Sequence, residues 1–206
     1  MNLTFLPLEI KELINFHCTP CTSLSLKNTC KEFQHIKFLY TKQSLIFDAI
    51  QLGRIKIINF LVRNGFKCEN FFKWEEIIKY STPEVMKYLI NYAKMRESTI
   101  IELIYVAAKH KNPQMMIAIG NKRQFYSRMT KIATNYDMLD VLKFIKSTYF
   151  KLDVKYITRI SVEKEFIDIL EWLSSLKWLN IKQIYLHATQ LGKFNVIKWI
   201  NHKHNE

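Results

Sequence analysis

Cys18-Thr19-Pro20-Cys21 is the stretch whose residue types and spacing come nearest to metal or redox chemistry. With His17 beside it and Cys30 and His35 downstream, it offers thiolates and imidazoles in the number that tetrahedral zinc needs. A C-x-x-C redox pair would need a strand–helix–strand setting, and the surrounding residues suggest none. Met1-Asn2-Leu3-Thr4 has neither the basic flank nor the cleavage site of a secretory leader, so the four cysteines are read as free thiols in a reducing, intracellular compartment. His110, His187, His202 and His204 are scattered. No Ser/His/Asp set or close acid pair accompanies them, and four glycines in the whole chain leave no phosphate-cradling loop. The expectation is a protein with no catalytic residue, no cofactor and no resident metal.

Three other stretches combine aromatic rings with cations: Phe71-Phe72-Lys73-Trp74, then Lys122-Arg123 with Phe125, Tyr126 and Arg128, then Tyr149-Phe150-Lys151. Interfaces and nucleic-acid platforms use that combination. The competing reading folds each aromatic back to cap its own structural unit. The formal net charge is +13, and residues 41–150 carry most of the surplus, with 18 basic and 9 acidic groups. Such a field favours an acidic partner, whether nucleic acid, anionic lipid or an acidic protein face. No run of apolar residues is long enough to span a membrane, and no membrane partner is expected.

The elements that must position these stretches are legible as a repeat. With anchors at Ala49, Ile77, Ala107, Ala133, Ser161 and Ala188, the plus-eight residues are Ile57, Val85, Met115, Val141, Ile169 and Val196. Plus nine gives Ile58, Met86, Met116, Leu142, Leu170 and Ile197, and plus twelve gives Leu61, Leu89, Ile119, Ile145, Leu173 and Ile200. Residues eight, nine and twelve positions on share one helical face. Plus four holds Gly53, Ser81, Lys111, Asp137, Glu165 and Gly192, residues suited to a tight turn. Each unit therefore reads as helix, turn, helix, with a small anchor on the first helix. A single hairpin cannot bury its stripe; about six in succession can, which predicts an all-α solenoid over residues 41–206.

The pattern resembles the ankyrin repeat, whose second half reads roughly L-H-x-A-A-x-x-G-x-x-x-V-V-x-x-L-L-x-x-G. Ile46, Ala49, Gly53, Ile57, Ile58, Phe60, Leu61 and Gly65 fit that register, and so do Ala188, Gly192, Val196, Ile197, Trp199 and Ile200. The likeness runs over residues 42–204. These units are shorter than the family's, and none opens with Thr-Pro-Leu-His. Another helical-hairpin solenoid and an irregular helical bundle stand as alternatives. Within an ankyrin-like array the aromatic and basic connectors would project along one edge, the usual partner surface.

Residues 1–40 do not follow the template and are expected to form a separate helical module. Leu6-Pro7-x-Glu9-Ile10 with Ile14, then Pro20, then Leu24, Leu26, Cys30, Lys31 and Phe33, resembles an F-box over residues 5–36. Pro7 and Glu9 suit the first turn of a helix on their own account. Cys18 and Ser23 stand where larger apolar residues are usual, and Asn15 lies on the docking face. Cys30 takes a core position in this match, which removes it from a zinc set. The resemblance implies that Leu6, Pro7, Glu9, Ile10, Ile14, Leu24 and Leu26 dock on the Skp-type linker of a cullin–RING ubiquitin ligase, while the array holds a target. An F-box beside ankyrin-like repeats is a pairing typical of proteins from large DNA viruses, which implies action in the host cytoplasm.

The function expected is therefore a non-enzymatic adaptor, with a simple binding or virion-structural protein as the alternative. Nucleic acid ranks lower: Lys56, Arg63, Lys87, Lys94, Lys143, Lys146 and Lys198 fall on the outward side of second helices among acids. The connector bases Lys67, Lys73, Lys122, Arg123, Arg128 and Lys151 are spaced by the repeat rather than by a groove, so an acidic protein target is expected.

Overall fold

The computed structural model describes residues 42–63, 74–93 and 95–204. The residues assigned to the F-box-like module, the boundary expected at residue 40, and Phe71, Phe72 and Lys73 lie outside the described residues. The chain divides into two compact units, Met1–Lys94 and Met95–Glu206. Among the described residues every regular element is helical.

In the first unit α1 (Lys42–Gln51) and α2 (Ile55–Arg63) pack as a hairpin, followed by α3 (Trp74–Tyr80) and α4 (Pro83–Ala93). Helix α1 also packs on α3, where the Phe47 and Tyr80 rings meet edge-on at 5.4 Å. Tyr88 of α4 donates its hydroxyl to Asn59 Oδ1 of α2 at 2.9 Å.

The second unit has α5 (Glu97–Lys109), α6 (Pro113–Ile119), a 3-10 turn (Arg123–Phe125), α7 (Tyr126–Asn135), α8 (Leu139–Ser147), α9 (Val154–Lys164), α10 (Ile167–Ser175), α11 (Ile181–Gln190) and α12 (Phe194–His204). Each odd-numbered helix pairs with the helix that follows it. The first helices of these hairpins touch in the order α5, α7, α9, α11, and the second helices meet as α6 with α8 and α10 with α12.

Burial follows the template. All six anchors are buried, and so is every plus-eight, plus-nine and plus-twelve residue except Ile57 and Ile197, which are half-buried. At the last junction of the second unit, Val162 and Leu170 form one core with Ile184, Ala188, Val196 and Ile200. Burial of such side chains stabilises each by roughly 1.5–3 kcal/mol, and a hairpin obtains that burial only from its neighbours.

The anchors have a second duty at the turns. The plus-four residues Gly53, Lys111, Asp137, Glu165 and Gly192 are left-handed, with φ between 53° and 65°. The next amide then donates to the anchor carbonyl: Arg54 to Ala49 at 2.8 Å, Asn112 to Ala107 at 3.0 Å, Met138 to Ala133 at 2.9 Å, Phe166 to Ser161 at 2.9 Å and Lys193 to Ala188 at 2.8 Å. This is the Schellman closure, which satisfies carbonyls left over at a helix end. The turn after α3 differs because Pro83 follows Thr82 and disfavours a helical backbone there. Ser81 instead donates to Ile77 at 2.8 Å, and Thr82 Oγ1 accepts from Val85 at 3.4 Å.

Neighbouring hairpins also cap one another. Lys164 donates to the Asn135 carbonyl at 2.8 Å, and Lys111 donates to the Tyr136 carbonyl, so the C-terminal end of α7 receives a lysine from each side. Cations suit that negative helix end. Glu165 Oε1 accepts from the Asn195 amide at 3.1 Å in the first turn of α12, and Lys203 donates to Ser174 Oγ at 3.2 Å.

Candidate interaction surface

The connector residues separate into two kinds. Phe125 and Tyr126 are buried, and the Tyr126 ring meets Phe144 edge-on at 6.2 Å and Phe150 at 5.7 Å. The Tyr126 ring folds back onto its own hairpin, and Phe125 is buried too, so neither is offered to a partner. The apolar area of Tyr126 is worth more against α8 than in water. Trp74 and Phe150 are half-buried. Lys122, Arg123, Arg128 and Lys151 are exposed, and Tyr149 is 96% exposed in a left-handed backbone position. Among the described residues the connectors thus present mostly charge rather than an aromatic platform.

First helices hold Arg128, expected among the connector bases, and three cations that sequence reasoning did not single out, Lys131, Lys155 and Arg159. Arg128 and Lys131 are exposed on α7, and Lys155 and Arg159 are exposed on α9. Spacings of three and four put each pair on one face of its helix. Tyr156 joins the pairs: Lys131 Nζ lies 5.9 Å and the Arg159 guanidinium 5.8 Å from its ring centroid, and Asn135 Nδ2 donates to its hydroxyl at 2.8 Å. Arg159 also reaches Glu163 at 3.9 Å, a solvated pair of little energetic weight. The repeat itself carried the missed signal, since Lys131 and Arg159 each stand two residues before an anchor.

A groove of about 470 Å³ opens between α9, the 178–180 connector and α11. Lys155, Arg159, Trp178, Asn180, Gln183 and His187 contribute its polar and aromatic lining, with Ile184 and Leu179 beneath. Trp178 is partly exposed, with Lys146 Nζ 5.4 Å from its ring and Trp172 edge-on at 6.4 Å. Asn180 Oδ1 accepts from the Gln183 amide at 3.2 Å and so caps α11.

Among the described residues no group of three or more His, Cys, Asp or Glu side chains could hold a metal ion. Cys18, Cys21, Cys30, His17 and His35 lie outside them. Among the described residues no helix is long and apolar enough to cross a membrane. Comparison with family models, curated proteins and solved structures gives no match for this chain.

Proposed function

We propose that the chain is a non-enzymatic binding protein, an ankyrin-like solenoid that holds an acidic protein partner against its first-helix side. The observation that carries this reading is the cationic, exposed face of α7 and α9 built on a buried, repeating core. Periodic hairpins make extended surfaces without needing a catalytic pocket. Charge on that surface would steer and orient an acidic partner.

The coupling of that partner to a ubiquitin ligase rests on the F-box resemblance of residues 5–36, and so does the placement in a host cytoplasm. It is tested with the full chain and a purified Skp-type linker. Binding of the linker, lost in the Leu6→Ala, Ile14→Ala double variant, supports the adaptor. An unbound linker removes the ligase coupling and leaves a simple binding or structural protein.

A further inference from the structure

We propose that the groove between α9 and α11 is the docking site for an extended acidic peptide segment, with carboxylates met by Lys155 and Arg159 and the peptide backbone met by Asn180 and Gln183. Three observations point there. The first is charge: between Glu171 and Glu206 the sequence has no acidic residue, and among the described residues Lys155 has no ion-pair partner. The second is hydrogen-bonding capacity. Asn180 spends its oxygen on the cap of α11, which leaves its amide NH₂ to donate, and Gln183 one step away brings both a donor and an acceptor. An extended peptide needs such amides, because its own N–H and C=O groups lose water on docking. The third is shape: α9, the connector and α11 line an open trough whose apolar lining includes Leu179 and Ile184, against which a peptide side chain can settle.

The aromatic rings decide between a peptide and a single-stranded nucleic acid. Sequence-tolerant nucleic-acid binding relies on aromatic faces open to bases. Tyr156, on α9 but outside the groove's lining, already has Lys131 and Arg159 over its ring. Trp178 has Lys146 over its ring and Trp172 against it. The rings steady the cations rather than wait for a base, so the groove reads charge and backbone amides.

The inference rests on the protein-binding reading, which survives the loss of either the ligase coupling or the groove. An unbound Skp-type linker removes only the ligase coupling, whereas an unbound peptide removes only the groove. The probe is a fluorescently labelled peptide of alternating glutamate and serine, titrated with the full chain at physiological ionic strength. Exposed charges a Debye length apart are then largely screened. The wild-type chain is expected to bind it and to shift its tryptophan emission through Trp178. Lys155→Glu with Arg159→Glu is expected to weaken binding by about tenfold, as the loss and reversal of two partly screened contacts would. Lys143→Glu with Lys198→Glu changes the net charge equally on second helices and is expected to stay within about twofold of wild type. Circular dichroism checks that each variant keeps its helices. Gln183→Ala, which alters no charge, supplies an independent weakening if the reversals unfold. Equal loss in both charge pairs would overturn the proposal, as would a wild-type chain that ignores the peptide. Tighter binding of oligo(dT), lost with the same groove pair, would reassign the groove to nucleic acid.

Discussion

The first and second helices of the second unit share one kind of buried face, and α7 and α9 differ from α8 and α10 on the other side. Inward, Ala133, Ser161 and Ala188 on first helices are as fully buried as Val141, Ile169 and Val196 on second helices. Outward, α7 and α9 show Arg128, Lys131, Lys155 and Arg159, answered by Glu163. Helices α8 and α10 mix Lys143 and Lys146 with Asp140, Asp168 and Glu171. Packing dictates volume and apolarity on the shared side, because interiors are close-packed. It dictates nothing on the outward sides, where the balance of charge is free to differ from helix to helix.

The comparison breaks first where both faces depend on one core. Leu173 is fully buried in α10, at the plus-twelve position of the repeating apolar stripe. Leu173→Ala is expected to cost ~2–5 kcal/mol, as buried leucines do. Urea unfolding followed by tryptophan emission checks it, since Trp172, Trp178 and Trp199 all lie in this unit. A cost under about 1 kcal/mol would mean that α10 is not held by that stripe.

Two smaller changes separate the helices. Ser161 is the anchor of α9, buried where four other hairpins have Ala, and among the described residues its hydroxyl has no hydrogen-bond partner. Ser161→Ala is expected to raise stability by about 1 kcal/mol, because an unpaired buried hydroxyl costs ~1–3 kcal/mol. If the melting temperature instead falls, the hydroxyl has a partner that matters. For a second helix the corresponding test is Asn112, whose Oδ1 accepts from the Met115 amide at 2.9 Å at the start of α6. Asn112→Ala is expected to lose roughly 1 kcal/mol with the cap, and an unchanged unfolding midpoint would show that Pro113 alone starts the helix.

The sequence disclosed the buried side better than the turns. Residues eight, nine and twelve past each anchor are Ile, Leu, Val or Met throughout, and a 3.6-residue period leaves that stripe one place to go. Gly53 and Gly192 announced their left-handed turns, because glycine has no Cβ to clash. Lys111, Asp137 and Glu165 take the same conformation, which for residues with a Cβ costs on the order of 1–2 kcal/mol. Two of them recover part of that through partners one repeat away: Lys111 on the Tyr136 carbonyl and Glu165 on the Asn195 amide. Such contacts have no local signature. Nor has the fate of Phe125 and Tyr126, since an aromatic beside a cation reads alike whether it faces a partner or its own core. Lys131, Lys155 and Arg159 have no local signature either, since a cation on a solvated helix face reads alike with or without a partner.

The smallest expected effect tests the turn edge where the two faces meet. Asp137 stands in the left-handed turn between α7 and α8. Partial burial of its carboxylate raises its pKa, Lys111 pulls it back, and Asp168 pushes it up again. The residue as a whole is exposed, so the net effect on stability is small. Its sign follows from linkage. A carboxyl with a raised pKa binds its proton more tightly folded than unfolded, so ionisation opposes folding. The penalty is fully present above the folded-state pKa, and it fades as the pH drops through that value toward the ordinary 3.8. Asp137→Asn removes the charge and keeps a side chain that tolerates the left-handed backbone. The variant should therefore melt slightly above wild type at pH 7, and the gap should close as the pH is lowered toward 3.8. Paired thermal scans in 0.15 M salt, where distant charges are largely screened, measure it. A gap that is constant with pH would assign the gain to the backbone, and a gap that widens in acid would show that the carboxylate is held by Lys111 more strongly than burial disfavours it.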